Sequence, residues 1–145
     1  MSIFKAAAVQ MRSGVDPKRN AADFERLVRE AASQGAVYVQ SPEMTGAIIR
    51  DQEARRAAFT SEKDDIIVAT SARLSAELGI HLHVGSTAIL RADGKLANRA
   101  LLFAPDGAIT TIYDKIHMFD VDLDNGESWR ESAAYEPGRE AVIAE

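Results

Sequence analysis

Between residues 80 and 113 three strand-like runs follow one another with only "ADGK" (92–95) and "PDGA" (105–108) between them. Connections that short join antiparallel neighbours, because a parallel return needs a dozen or more residues. "IHLHVGSTAIL" (80–90), "LANRALLFA" (96–104) and "ITTIY" (109–113) therefore predict a meander. Upstream the pattern changes. "IFKAAAV" (3–9) and "AVYVQ" (36–40) read as buried strands with a helix between them. Asp16 is placed to cap that helix, Pro17 to open it and Gly35 to close it, with Phe24, Leu27, Val28 and Ala31 at helical spacing. A second helix is expected over 51–59. A third opens at Ser61, with Asp64 completing a capping box, and carries Ile67, Leu74 and Leu78 to its end at Gly79. The order is β-α-β-α-α followed by a β-β-β meander, which predicts an α/β fold with a mixed sheet.

Two strand ends carry chemistry-bearing residues. Pro42 offers no N–H and holds Ser41 extended, so the second strand should stop there, leaving Glu43 just beyond it. Lys115 follows "TTIYD" in the same way. In open α/β sheets sites gather where strand ends meet loops, and a carboxylate beside an ammonium there can act as base and electrostatic stabiliser. On pattern alone, two solvated side chains are the better reading of these residues. From Asp114 to Pro137 no period is visible and a long polar loop is expected, with "EAVIA" (140–144) as one more strand.

That loop poses a second question. Counted from Asp120, the residues Asp120, Asp122, Asp124 and Glu131 fall at positions 1, 3, 5 and 12 of a calcium-binding EF-hand loop. The glycine comes one residue late, at Gly126, with Asn125 in its place, and no helix is expected on either side. Solvated loop carboxylates are the better reading. His81 and His83 lie two apart on one strand face but lack a third ligand at a defined spacing, and His117 is unassigned.

Composition narrows the classes. A chain of 145 residues with 46% hydrophobic and 27% charged residues suits one globular domain, 1–145. The net charge is −5, and the densest basic cluster, Arg50, Arg55 and Arg56, alternates with Asp51 and Glu53. That argues against a nucleic-acid partner. No apolar run is long enough for a membrane span, and residues 1–10 are too short for a signal peptide, so a cytoplasmic location is expected. The chain contains no cysteine, which excludes disulfides, thiolate metal sites and a cysteine nucleophile within it.

The sequence resembles the nitrilase superfamily of carbon–nitrogen hydrolases, in particular its omega-amidase and deaminated-glutathione-amidase-like branch. The resemblance is carried by "AAAVQMRSG", "VYVQSPEMTG", "HVGSTAI", "NRALLFAPDGAITTIYDKIHMFDVD" and "WRESAAYEPG", in the family's order and across the chain. It implies an α-β-β-α sandwich and a Glu-Lys-Cys catalytic set acting on a small amide, with no metal or cofactor. Carried over, Glu43 matches the general base, Lys115 the catalytic lysine, and Glu131 in "WRES" a second glutamate beside the site. In the family the cysteine lies beyond the lysine, yet only 30 residues follow Lys115 and none is cysteine. The chain is thus expected to be the N-terminal half of such a domain, inactive alone. Its exposed sheet should be covered by a completing C-terminal half or by homo-oligomer contacts. A non-catalytic relative that binds a ligand or a protein is the competing expectation. Trp129 and Arg130 are candidates to line the entrance.

Overall fold

The computed structural model describes residues 3–144. Its centre is a five-stranded mixed sheet of β1 (Ala6–Ala8), β2 (Tyr38–Gln40), β3 (His81–Leu90), β4 (Leu96–Phe103) and β5 (Ile109–Asp114), in that spatial order. β1, β2 and β3 pair in parallel, and β3, β4 and β5 pair antiparallel. The meander is therefore found where the two tight turns predict it. The N-terminal strands are shorter than the apolar runs that contain them, the ladder pairing only Ala6–Ala8 with Tyr38–Gln40.

Helices α1 (Pro17–Ser33) and α3 (Ile66–Leu78) cover one face of this sheet. Asp16 caps α1 through the N–H groups of Lys18 and Arg19, and Gly35 follows in the left-handed region at φ 88°. Phe24 and Val28 of α1 and Ile67 and Leu74 of α3 meet Val39, Leu82, Val84, Leu101 and Phe103 of the sheet, all essentially inaccessible to solvent. Fully burying each side chain of that size contributes roughly 1.5–3 kcal/mol, which makes this layer the main source of stability. Outside it, Glu25, Arg29, Arg73 and Glu77 close a ring of ion pairs that ties α1 to α3.

Three local expectations are corrected. The third helix does not begin from a Ser61 capping box. Ser61 Oγ bonds the Asp64 carboxylate at 2.7 Å above a short 3-10 turn (Glu62–Asp64). The buried Asp65 caps α3 instead, accepting from the N–H groups of Ile67 and Val68 at 2.9 Å each. A carboxylate one residue before the helix satisfies two of its orphan donors, so the helix starts there. Between Asp114 and Pro137 the expected featureless loop contains a small hairpin, β6 (Asp120–Asp122) with β7 (Ser128–Arg130), followed by a 3-10 turn, Glu131–Ala133. Its strands are too short and too charged to show an apolar alternation.

Residues 140–144 are not a strand within the described residues. A strand exists only through a ladder partner, and this segment makes none among the described residues. Val142 and Ala144 help line an open cavity of about 560 Å³ on the helix-free face, with Tyr38, His81, His83 and Tyr113. α2 (Gln52–Ala58), capped by Asp51, lies in the excursion between β2 and α3. No helix among the described residues is long and apolar enough to cross a membrane.

Candidate active site

The site is built from three chain turns that converge on the centre of β4. The first leaves β2 at Ser41-Pro42. Thr45 Oγ1 donates to the Pro42 carbonyl at 2.8 Å, and Ser41 and Thr45 share a hydroxyl–hydroxyl bond at 2.7 Å. Met44 takes φ 55°, an unusual left-handed conformation for a residue other than glycine. It is held there by its N–H to Ser86 Oγ at 2.9 Å, and Thr45 N donates to the Ser86 carbonyl at 2.8 Å. The β3–β4 register shifts between Val84 and Thr87, at the same place. Bulges of this kind re-aim side chains near sites, and here the bulge offers Ser86 to the turn that presents Glu43.

The second turn leaves β5. Lys115 N donates to the Asn98 carbonyl of β4 at 2.9 Å, and the Lys115 carbonyl accepts from Gly138 N at 2.8 Å. One residue earlier, Asp114 is gripped by Arg99 through two parallel bonds of 2.7 and 2.8 Å, while Arg99 Nη1 reaches Glu62 at 2.7 Å. Bidentate pairs of this sort fix geometry as well as charge. The third turn is the exit of β7. Asp120 accepts from Ser132 N at 3.0 Å, and Phe119 N donates to Glu131 Oε2 at 2.6 Å, which orients the Glu131 carboxylate inward.

The three side chains meet. Lys115 Nζ lies 3.0 Å from Glu43 Oε1 and 2.9 and 3.2 Å from the two oxygens of Glu131. The Glu43 side chain is 58% exposed, Lys115 29% and Glu131 15%, so the cluster opens to solvent on the Glu43 side. Asn98, which the sequence reading did not single out, completes it. Its amide Nδ2 donates to Glu43 Oε1 at 2.8 Å and to Glu131 Oε1 at 3.3 Å. The signal for it was present: a lone Asn at an interior position of an apolar strand needs a partner.

Partial burial alone would push the Glu43 carboxyl up. The hydrogen bonds from Lys115 and Asn98 and the lysine's charge outweigh it and hold the group below the usual glutamate value. Burial works against charged Lys115 too, but the bonds to Glu131 and Glu43 and their charges raise it above the ordinary lysine value. The arrangement thus favours a charged lysine between two carboxylates, with one carboxylate reachable from outside.

The other candidates are employed elsewhere. Asp120 serves Ser132, and Asp122 binds Arg130 through both oxygens at 2.6 and 2.7 Å. With Glu131 spent on Lys115, the EF-hand spacing does not become a ligand cage. No group of three or more metal-ligating side chains is found among the described residues. His83 Nδ1 pairs with the Tyr38 hydroxyl at 2.8 Å. Trp129 carries the Arg50 guanidinium 4.5 Å above its ring, and Arg130 is taken by Asp122.

Comparison with known proteins gives the class. The carbon-nitrogen hydrolase family profile matches residues 5–144, and the chain belongs to that family. Among curated relatives it is 32% identical to the omega-amidase NIT2 of Danio rerio, over all of this chain and 51% of that protein. It is 28% identical to the deaminated glutathione amidase of Yersinia enterocolitica, over 96% of this chain and 49% of that one. The fold matches a mutant of the amidase from Nesterenkonia sp. AN1, solved with acrylamide added at its active site cysteine. That match has a TM-score of 0.77 and 20% identity, over 98% of this chain and 53% of the amidase. The chain spans about half the length of the curated relatives it matches.

Proposed function

We propose that this chain forms the base-and-lysine portion of an amidase site that hydrolyses a small linear amide through a thiol lying outside these 145 residues. The observation that carries the reading is the contact of Lys115 Nζ with Glu43 at 3.0 Å and Glu131 at 2.9 Å. In this reading Glu43 takes the thiol proton as sulfur attacks the amide carbon. The ammonium of Lys115 stabilises the oxyanion that results. Glu43 then returns the proton to nitrogen as the C–N bond breaks, releasing ammonia or an amine. Water next loses a proton to Glu43 while its oxygen bonds the thioester carbon, and as the C–S bond breaks Glu43 returns that proton to sulfur, freeing the thiol and the acid product. Glu131 holds the lysine charged and in place throughout. Relatives named as amidases, and the absence of cysteine here, support assigning these roles without the nucleophile.

The remaining strands of the sandwich, from a completing segment or a second copy, would cover the helix-free face where Tyr38, His83 and Tyr113 line the open cavity. The test is ammonia release from a panel of short linear amides. The protein made from its native gene should release ammonia and lose that activity on thiol alkylation, while residues 1–145 alone should release none. Release by the 145-residue chain at an enzymatic rate would overturn the assignment of the thiol to a point outside it. A native product that lacks both cysteine and activity would favour the ligand-binding module.

A further inference from the structure

Both hydrogen bonds of Glu43 among the described residues fall on one oxygen. Oε1 accepts from Lys115 Nζ at 3.0 Å and from Asn98 Nδ2 at 2.8 Å. The carboxylate end of a glutamate turns easily, because its last torsion is broad and two-fold, so one bond to a flexible lysine would leave the two oxygens interchangeable. Asn98 removes that freedom. It is only 3% exposed, sits in the interior of β4, and its own carbonyl receives the Lys115 N–H at 2.9 Å. Its amide can face two ionised carboxylates only through the NH₂ group, since its oxygen would meet acceptors alone.

We infer that Asn98 is a positioning residue that pins Glu43 Oε1 inward, so that Glu43 Oε2 is the oxygen that takes and returns the proton. The consequence for catalysis rests on the proposed amidase reading; the orientation itself does not. A proton on Oε1 would sit beside an ammonium and would weaken an oxygen already accepting two hydrogen bonds. On Oε2 it leaves Oε1 as the carbonyl oxygen, the better acceptor, with both donors kept. The transfer is a movement of one proton between Oε2 and an incoming S–H, N or water group, with Oε1 unchanged. The charged and titratable groups around Glu43 are Lys115, Glu131 and the Tyr135 phenol, which burial pushes up to about 12 and which therefore stays neutral through the glutamate range. Asn98 also bonds Glu131 Oε1, so one amide sets the facing oxygens of both carboxylates.

The experiment uses the protein made from its native gene with ¹³C-labelled glutamate side chains, the Glu43 signal being assigned with Glu43→Gln. Asn98→Leu should raise the Glu43 titration midpoint by about one unit, the loss of one hydrogen bond to a charged group at a half-exposed site. In the native chain at low pH, the infrared carbonyl band of protonated Glu43, isolated by difference against Glu43→Gln, should lie at the low frequency of a hydrogen-bonded carbonyl. Asn98→Leu should move it upward. Asn98→Ser, too short to span both carboxylates, should do the same and serves if the leucine variant does not fold. A Glu43 midpoint and carbonyl band unmoved in either folded variant would overturn the inference. So would a native carbonyl band at the position of a free carbonyl. No measurement here needs a thiol or turnover, so this outcome is independent of whether the native protein releases ammonia.

Discussion

Gly85→Ala is expected to lower stability by about 3 kcal/mol, the upper part of the range for forcing an extra carbon into packed structure. A Cβ at this position would overlap the Ser41 carbonyl oxygen and lie 2.8 Å from the Pro42 carbonyl. Both are backbone atoms of the turn that presents Glu43, so no side chain can swing aside. Either β3 moves away from β2 or the turn moves, and each choice disturbs Gly85 N to Ser41 Oγ and the Ser86 bonds to Met44 and Thr45. Gly94→Ala is the control. Gly94 has φ 82° but nothing within 4 Å of an added Cβ, so its cost should stop at the left-handed penalty of about 1 kcal/mol. Chemical denaturation of both variants measures the difference. Gly85 itself is not in the left-handed region, so a loss no larger than that at Gly94 would mean that the close approach of the Glu43 turn does not exclude a side chain there.

Lys115→Met should reverse the pH dependence that the site contributes. In the native chain Glu43 lies below its ordinary value of 4.5, so its contribution is present above that value and is lost as pH falls through the lowered one. Lys115 lies above its ordinary 10.5, so its contribution is present below that value and fades as pH rises through the raised one. The cluster is therefore fully stabilising between those two limits. Without the ammonium, two carboxylates share only the Asn98 amide, and one of them should titrate above the usual glutamate value. The variant should then gain stability on acidification from pH 7 to pH 5, where the native site's contribution stays level. The loss at pH 7 should be about 2 kcal/mol, less than for a fully buried pair because Glu43 faces solvent. Denaturation midpoints across this range, compared with the native chain, measure it.

What the sequence makes legible follows from how local the signals are. The turns at 92–95 and 105–108 dictate the meander, and Asp16-Pro17 and Gly35 bound α1 by chemistry within a few residues. The start of α3 is not legible because two acidic residues lie within reach of the helix, and only packing selects the buried Asp65 over Ser61. The β6–β7 hairpin was invisible because Asp120 and Asp122 point from a three-residue strand to Ser132 and Arg130, with no apolar face to betray it. At the site, Glu43 and Lys115 each follow a strand end, but β3 and β4 lie between those strands. Whether the two residues meet depends on the bulge at Val84–Thr87 and on the Asn98 bond to Lys115 N, and neither can be read from spacing. Asn98 itself joins residues 55 and 33 positions away, through contacts that only the folded sheet creates.

The most direct test is the effect of Glu43→Gln on kcat for ammonia release by the protein made from its native gene, read alongside KM. Glutamine keeps the size and can still accept from Lys115 and Asn98, but it cannot carry the proton. A loss of about 10³-fold in kcat with KM little changed is expected, within the range for removing a general base. Activity retained within threefold would contradict it, because the carboxylate joined to Lys115 would then not be the group that moves the proton.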